Sequence, residues 1–240
     1  MAEWERWKEG ILNAVFPRRC ILCDEVLEEE GDFCLSCGKK EPLMGEPACI
    51  RCGRGILREE ESLCKNCKEH HFSFQGGMIL YQLSEEVEDA IAELKYKGRK
   101  DKGIFFGKRA GEIFCKKLQA LSIDGIFPVP IHRDRRKKRG YNQAEVIGEA
   151  LAKECDIPIY SAYLTRDKKT KALKELNPME RMQNLLSAMA CENLPKEVKK
   201  VLLVDDIFTT GATMEACARK LLEKGAEEVY ILAIAARADR

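Results

Sequence analysis

Four C-x-x-C pairs, Cys20/Cys23, Cys34/Cys37, Cys49/Cys52 and Cys64/Cys67, dictate how the front of this chain can fold. Ten, eleven and eleven residues separate successive pairs. A tetrahedral metal ion takes four thiolates, so eight cysteines at this spacing predict two four-cysteine sites. The segment is short, polar and poor in large apolar residues, so bound metal must supply much of its folding free energy. Short ribbons carrying regular pairs favour Zn2+, although iron–sulfur clusters use the same ligands. Neighbouring pairs are expected to share an ion, because short loops close at less entropic cost. The expectation is a double zinc ribbon over 18–72. His70 and His71 follow the last pair and read as linker residues, since eight cysteines already complete both sites.

Ahead of the ribbon, Trp4, Trp7, Ile11 and Val15 recur at helical spacing before Pro17, predicting an amphipathic helix over 1–17. Its polar face mixes Glu3, Glu5 and Glu9 with Arg6 and Lys8, which suits packing onto the ribbon better than an anionic lipid surface. No apolar run approaches the length of a membrane span and nothing resembles a secretory signal, so a cytoplasmic protein without membrane insertion is expected. The 41 basic and 40 acidic residues nearly cancel, but not evenly along the chain. Residues 1–76 hold 11 basic against 15 acidic side chains, and metal tetrathiolates add further negative charge. That balance argues for a structural or protein-docking ribbon and against a nucleic-acid reader.

From residue 76 the pattern changes to alternating strands and helices, which predicts a parallel sheet with crossover helices over 76–240. After a turn at Gly76-Gly77, a strand is expected over 78–83, then a helix capped by Ser84 with Val87, Ile91 and Leu94 on one face. Lys95, Lys97, Arg99, Lys100 and Lys102 cluster at its exit. A helix over 104–121 and a strand over 125–129 follow, then a basic loop over 131–139 with six bases in its last seven residues. A helix bearing Ala144, Ile147 and Leu151 leads to a strand over 159–164 and a lysine-rich loop over 166–177. Cys115, Cys155, Cys191 and Cys217 lack metal spacing and read as small core residues.

The chemistry concentrates at 201–213, V-L-L-V-D-D-I-F-T-T-G-A-T. Four apolar residues make a short buried strand with Asp205 and Asp206 at its C-terminal end. Thr209, Thr210, Gly211, Ala212 and Thr213 then form a small-residue loop before a helix. Free N–H groups, threonine hydroxyls and the helix dipole suit such a loop to phosphate. The two acids cannot face phosphate oxygens, so they are expected to meet hydroxyls or a metal. A sugar phosphate satisfies both demands. Ala212 stands where a Walker A loop needs lysine, which excludes that reading.

This stretch resembles the phosphoribosyl pyrophosphate (PRPP) motif of type I phosphoribosyltransferases. Further motifs are similar to one branch, the ComF family: the cysteines from Cys20 to Cys67, Leu94-Lys95-Tyr96-Lys97-Gly98-Arg99, Val129-Pro130, Arg139-Gly140-Tyr141-Asn142-Gln143, Glu180-Arg181 and Asn184. The resemblance implies an α/β type I phosphoribosyltransferase-like fold in which Asp205 and Asp206 hold ribose hydroxyls and act in catalysis. It implies that 209–213 hold the 5'-phosphate, with Mg2+ arriving on PRPP. Val129, Pro130 and His132 are then expected near the pyrophosphate, with Arg139 in a second signature. Lys171 and Arg181 are expected at a flap over the ligand, where Ala172-Leu173 replace the family's usual Pro-Gln. The implied activity is phosphoribosyl transfer with pyrophosphate release to an unknown acceptor, associated with DNA uptake. The alternative is a non-catalytic PRPP or nucleotide sensor that grips single-stranded DNA or other DNA-uptake proteins, although few aromatics interleave with the basic segments.

Overall fold

The computed structural model describes residues 17–58, 60–166 and 184–239. The helix expected over 1–17 lies outside them apart from Pro17, as do Lys171, Arg181 and most of the lysine-rich loop. Two short helices, α1 (Leu35–Lys39) and α2 (Lys65–Glu69), each begin at a cysteine, Cys34 and Cys64. The sheet domain runs β1 (Gly76–Gln82), α3 (Glu85–Tyr96), α4 (Lys100–Ala120), β2 (Gly125–Pro128), α5 (Arg133–Arg139), α6 (Gln143–Cys155), β3 (Leu164–Arg166), β4 (Met189–Cys191), β5 (Lys200–Phe208), α7 (Ala212–Glu223) and β6 (Glu228–Ala236). Four strands form one sheet in the order β1-β6-β5-β2, and every pairing in it is parallel. β3 and β4 form a separate antiparallel pair. The expected parallel α/β sheet is present.

Side chains alternate across a strand. On β5, Leu202 and Val204 therefore join a core with α3, α4 and α6, whereas Val201 and Leu203 join one with α7, β3 and β4. Each cysteine module packs against a different core: Cys20, Ile21, Leu22 and Cys34 belong to the first, Cys49, Cys52, Cys64 and Cys67 to the second. The ribbon is thus built into the sheet domain on both faces.

Several local expectations are corrected. Gly76 and Gly77 open β1 instead of forming a turn. A Cβ on Gly77 would lie 2.5 Å from the Cys52 carbonyl carbon, so glycine serves close backbone approach between ribbon and sheet. α4 begins at Lys100, four residues before the expected start, as Lys102 is buried against Glu93 through a 2.8 Å ion pair. The basic segment is no loop: 133–139 is helical, capped by His132, whose Nδ1 accepts from the Asp134 N–H at 3.1 Å. The strand expected over 159–164 reduces to a single bridge between Ile159 and Ile126, with the extended segment displaced to β3. Its two tyrosine rings pack on β2 where the ladder would have continued: Tyr160 stacks on Phe127 at 5.0 Å and Tyr163 packs edgewise on both.

Cys115 and Cys155 are not separate core residues but are bonded to each other, with Cα atoms 5.2 Å apart. Gly103, Gly107 and Gly111 line the α4 face toward α6, and a Cβ on Gly107 would sit 2.3 Å from the Ile147 carbonyl oxygen. That close helix approach brings the two sulfurs together. Cys217 is buried as expected, whereas Cys191 is only partly covered.

Candidate functional site

Two clusters of four cysteines appear, Cys20/Cys23/Cys34/Cys37 and Cys49/Cys52/Cys64/Cys67, with all sulfurs of each within 4.8 Å of one another. Neighbouring pairs share a cluster, as loop length predicts. Four sulfurs at a Zn–S distance of about 2.3 Å around a tetrahedral ion stand about 3.8 Å apart. The observed Sγ separations of 3.6 Å for Cys23–Cys34 and 3.7 Å for Cys52–Cys64 fit that spacing. The donor chemistry and geometry therefore suit one Zn2+ per cluster.

β5 does not stop before its acids. It continues to Phe208, pairing Asp205 with Ala233 and Ile207 with Ala235. Alternation then sends the adjacent acids to opposite faces. Asp206 is buried on the α3 side, where Lys95 Nζ meets its Oδ1 at 2.8 Å. Its Oδ2 is buried without a hydrogen-bond partner among the described residues. Asp205 turns along the strand, and its Oδ1 accepts from the Asp206 N–H at 2.9 Å. Burial and the neighbouring charge of Asp206 push Asp205 up to about 8, against the pull of Lys95 and Arg166. Arg166, at the end of β3, is largely covered and held below its ordinary value by that burial.

Lys95 and Arg166 were not singled out from the sequence as partners of the acids. A signal for Lys95 existed: it lies four residues after buried Ile91 and so shares a helix row with it, where a lysine demands an acid. Arg166 carried none, because β3 is displaced from its expected place.

After Phe208 the chain turns through exposed Thr209 and Thr210 to Gly211, which adopts φ +80° and N-caps α7. Ala212 N–H lies 3.4 Å from Thr210 Oγ1, and α7 proceeds from Ala212. Thr213 stands half-buried in its first turn. Gly211 supplies no side-chain cap, and the first-turn N–H groups have no intrahelical acceptors.

The segment leaving β2 lies at the same edge. Val129 is buried and donates its N–H to Val204 O at 2.9 Å, and Pro130 is buried beside it. His132 uses Nδ1 as the α5 cap, and its buried Nε2 has no partner among the described residues. The signature 139–143 has a structural reading that its letters did not disclose. Arg139 bonds Gln143 and lies over Tyr96, Tyr141 Oη donates to the Leu94 carbonyl, and Asn142 both caps α6 and donates to Val129 O at 3.0 Å. It ties the β2 exit to the helix end that carries Lys95.

Comparison with known proteins agrees with this layout. Residues 11–68 match a double zinc ribbon domain and residues 142–240 a phosphoribosyl transferase domain. The chain is 27% identical over 230 residues to competence protein F of Haemophilus influenzae, covering 92% of this chain and 97% of that one. It is 25% identical to competence protein ComFC of Bacillus subtilis, covering 86% and 89%, and 24% identical to the DNA utilization protein YhgH of Escherichia coli K12, covering 88% and 87%. The chain thus joins a double zinc ribbon to a phosphoribosyltransferase-like domain, and over most of its length it resembles the competence proteins of the ComF family.

Proposed function

We propose that the chain binds PRPP with Mg2+ at the C-terminal edge of the sheet and transfers its phosphoribosyl group with release of pyrophosphate. The observation that carries this reading is the juxtaposition of an acid pair, Asp206 buried and Asp205 half-buried, with the glycine-led start of α7, joined by only the short loop over 209–211. The loop amides and threonine hydroxyls receive the 5'-phosphate, and the dipole of α7 favours its charge. Asp205 and Asp206 accept the ribose hydroxyls. Lys95 neutralises one acid, so the pair presents less negative charge to the ligand's phosphates than two free carboxylates would. Mg2+ is a hard ion that suits carboxylate and phosphate oxygens, and when bound it neutralises charge on the departing diphosphate.

The segment at Val129, Pro130 and His132 and the bases of α5 lie on the pyrophosphate side. His132 Nε2 offers a donor there, because Nδ1 already accepts the Asp134 N–H and the neutral ring carries its proton on the other nitrogen. Arg139 acts on this side through Gln143 and Tyr96, as a residue that holds the segment in place. Lys171 and Arg181 are assigned to the flap by family likeness, and closure over the ligand would exclude water from the reactive sugar. Pyrophosphate release with added nucleobases as acceptors tests the transfer: acceptor-dependent release makes the protein a transferase, and tight PRPP binding without release makes it a sensor.

Exposed Arg133, Arg135, Lys137 and Lys138 on α5 favour a second use, contact with the phosphates of single-stranded DNA, in keeping with the names of the relatives. Phosphate-driven affinity falls as salt rises, and a salt-independent affinity would exclude this use.

A further inference from the structure

The second cysteine module is bonded directly to the loop after β5. Arg54, two residues beyond Cys52, donates from Nη2 to the Thr209 carbonyl and lies 5.3 Å from the centroid of the Phe208 ring. Asn66, between Cys64 and Cys67, donates from Nδ2 to the Thr210 carbonyl at 3.3 Å. Further contacts fix the module itself to the sheet domain. Lys65 N–H donates to Asp239 Oδ2 at 2.5 Å, and Asp239 N–H to the Gly55 carbonyl at 3.0 Å. Beneath the loop, Phe72 stacks on Phe74 at 4.8 Å, and a Cβ on Gly211 would approach the Phe208 and Phe72 rings to 2.8 and 3.0 Å.

A trans peptide is planar, with its C=O and N–H pointing opposite ways. Drawing the carbonyls of Thr209 and Thr210 toward the module therefore turns the N–H groups of Thr210 and Gly211 away from it. It also takes two acceptor oxygens out of the loop's free side, where they would repel an anion. Little else among the described residues holds the loop: Thr209 and Thr210 are exposed, Gly211 supplies no side-chain cap, and Thr210 Oγ1 accepts from the Ala212 N–H at a long 3.4 Å.

We propose that Arg54 and Asn66 are positioning residues that aim the amides of this loop, so that the second four-cysteine module forms part of the phosphate site. The first module has no such role, since it packs on the other face of the sheet and bonds Arg99 through Asp24 at 2.8 Å. This inference rests on the reading of the loop as a 5'-phosphate site.

The test compares full-length wild type with Arg54→Met, Arg54→Lys and Arg54→Met/Asn66→Leu, each checked for zinc content. Two quantities are read: amide hydrogen exchange over 209–214 without ligand, and calorimetric affinity for ribose 5-phosphate. With zinc content unchanged, Arg54→Met should speed loop exchange and weaken ribose 5-phosphate by about tenfold or more, the effect of losing a hydrogen bond from a charged donor. Arg54→Lys, which keeps a cationic donor, should fall between. Wild-type exchange and affinity in the double variant at full zinc content would overturn the proposal. If wild type itself does not bind ribose 5-phosphate, the phosphate reading fails separately, and loop exchange alone decides the bracing: faster exchange upholds it and unchanged exchange removes it.

Discussion

The acid pair shows how much two adjacent residues of one kind can differ. Buried Asp206 meets half-buried Lys95 in an ion pair, whereas Asp205 is pushed up to about 8 by burial and by its neighbour. An unfolded aspartate titrates near about 3.9. Between that value and about 8 the folded protein keeps a proton that the unfolded chain has released, so stability falls as pH rises through this window. Asp205→Asn removes that contribution, and its thermal stability relative to wild type should rise steadily across the window; a constant difference would contradict the assignment. Lys95→Met strands the Asp206 charge and should cost about 3 kcal/mol, with most of it recovered in Lys95→Met/Asp206→Asn. Denaturant unfolding of the single and double variants measures the coupling. Sequence located both acids but not their separation, because the strand was read as ending at Val204. The four residues beyond it are mixed in polarity, and only pairing with 233–236 of β6 keeps them in the ladder.

At the scale of elements, the parallel sheet and its principal helices were legible because apolar periodicity and caps agree, as at Ser84, which accepts from the Val87 N–H. The basic stretch over 133–139 was read as a loop because seven charged residues in a row, six of them basic, leave no apolar face. Its helix is instead fixed from both ends, by the His132 cap and by Gly140 at φ +84°. The glycines of α4 were equally silent, since what they allow is contact with a helix elsewhere in the chain. Gly107→Ala should force α4 from α6 and cost about 3 kcal/mol by overpacking. Asn142→Ala removes the α6 cap and the bond to Val129 O together, at about 2 kcal/mol. Chemical denaturation reads both, and an unchanged midpoint for either variant would refute the packing or capping role given to it.

Across the whole molecule, the ribbon and the sheet domain are one construction. The cysteine spacing disclosed two metal sites and their pairing by neighbours, but spacing carries no information about where the modules dock. Their placement on opposite faces follows from residues scattered through the chain, such as Arg54 with Thr209, Asp24 with Arg99, and Glu41 with Arg109 at 2.7 Å. Replacing Cys34 and Cys37 by Ser should release about one zinc of two per chain. Unchanged metal content would sink the first site. The most direct test of the account is calorimetric titration of PRPP with Mg2+ into wild type and Asp205→Asn/Asp206→Asn. Saturable one-site binding in wild type that disappears in the variant is the predicted result; absence of binding in wild type, or equal binding in both, would contradict the account.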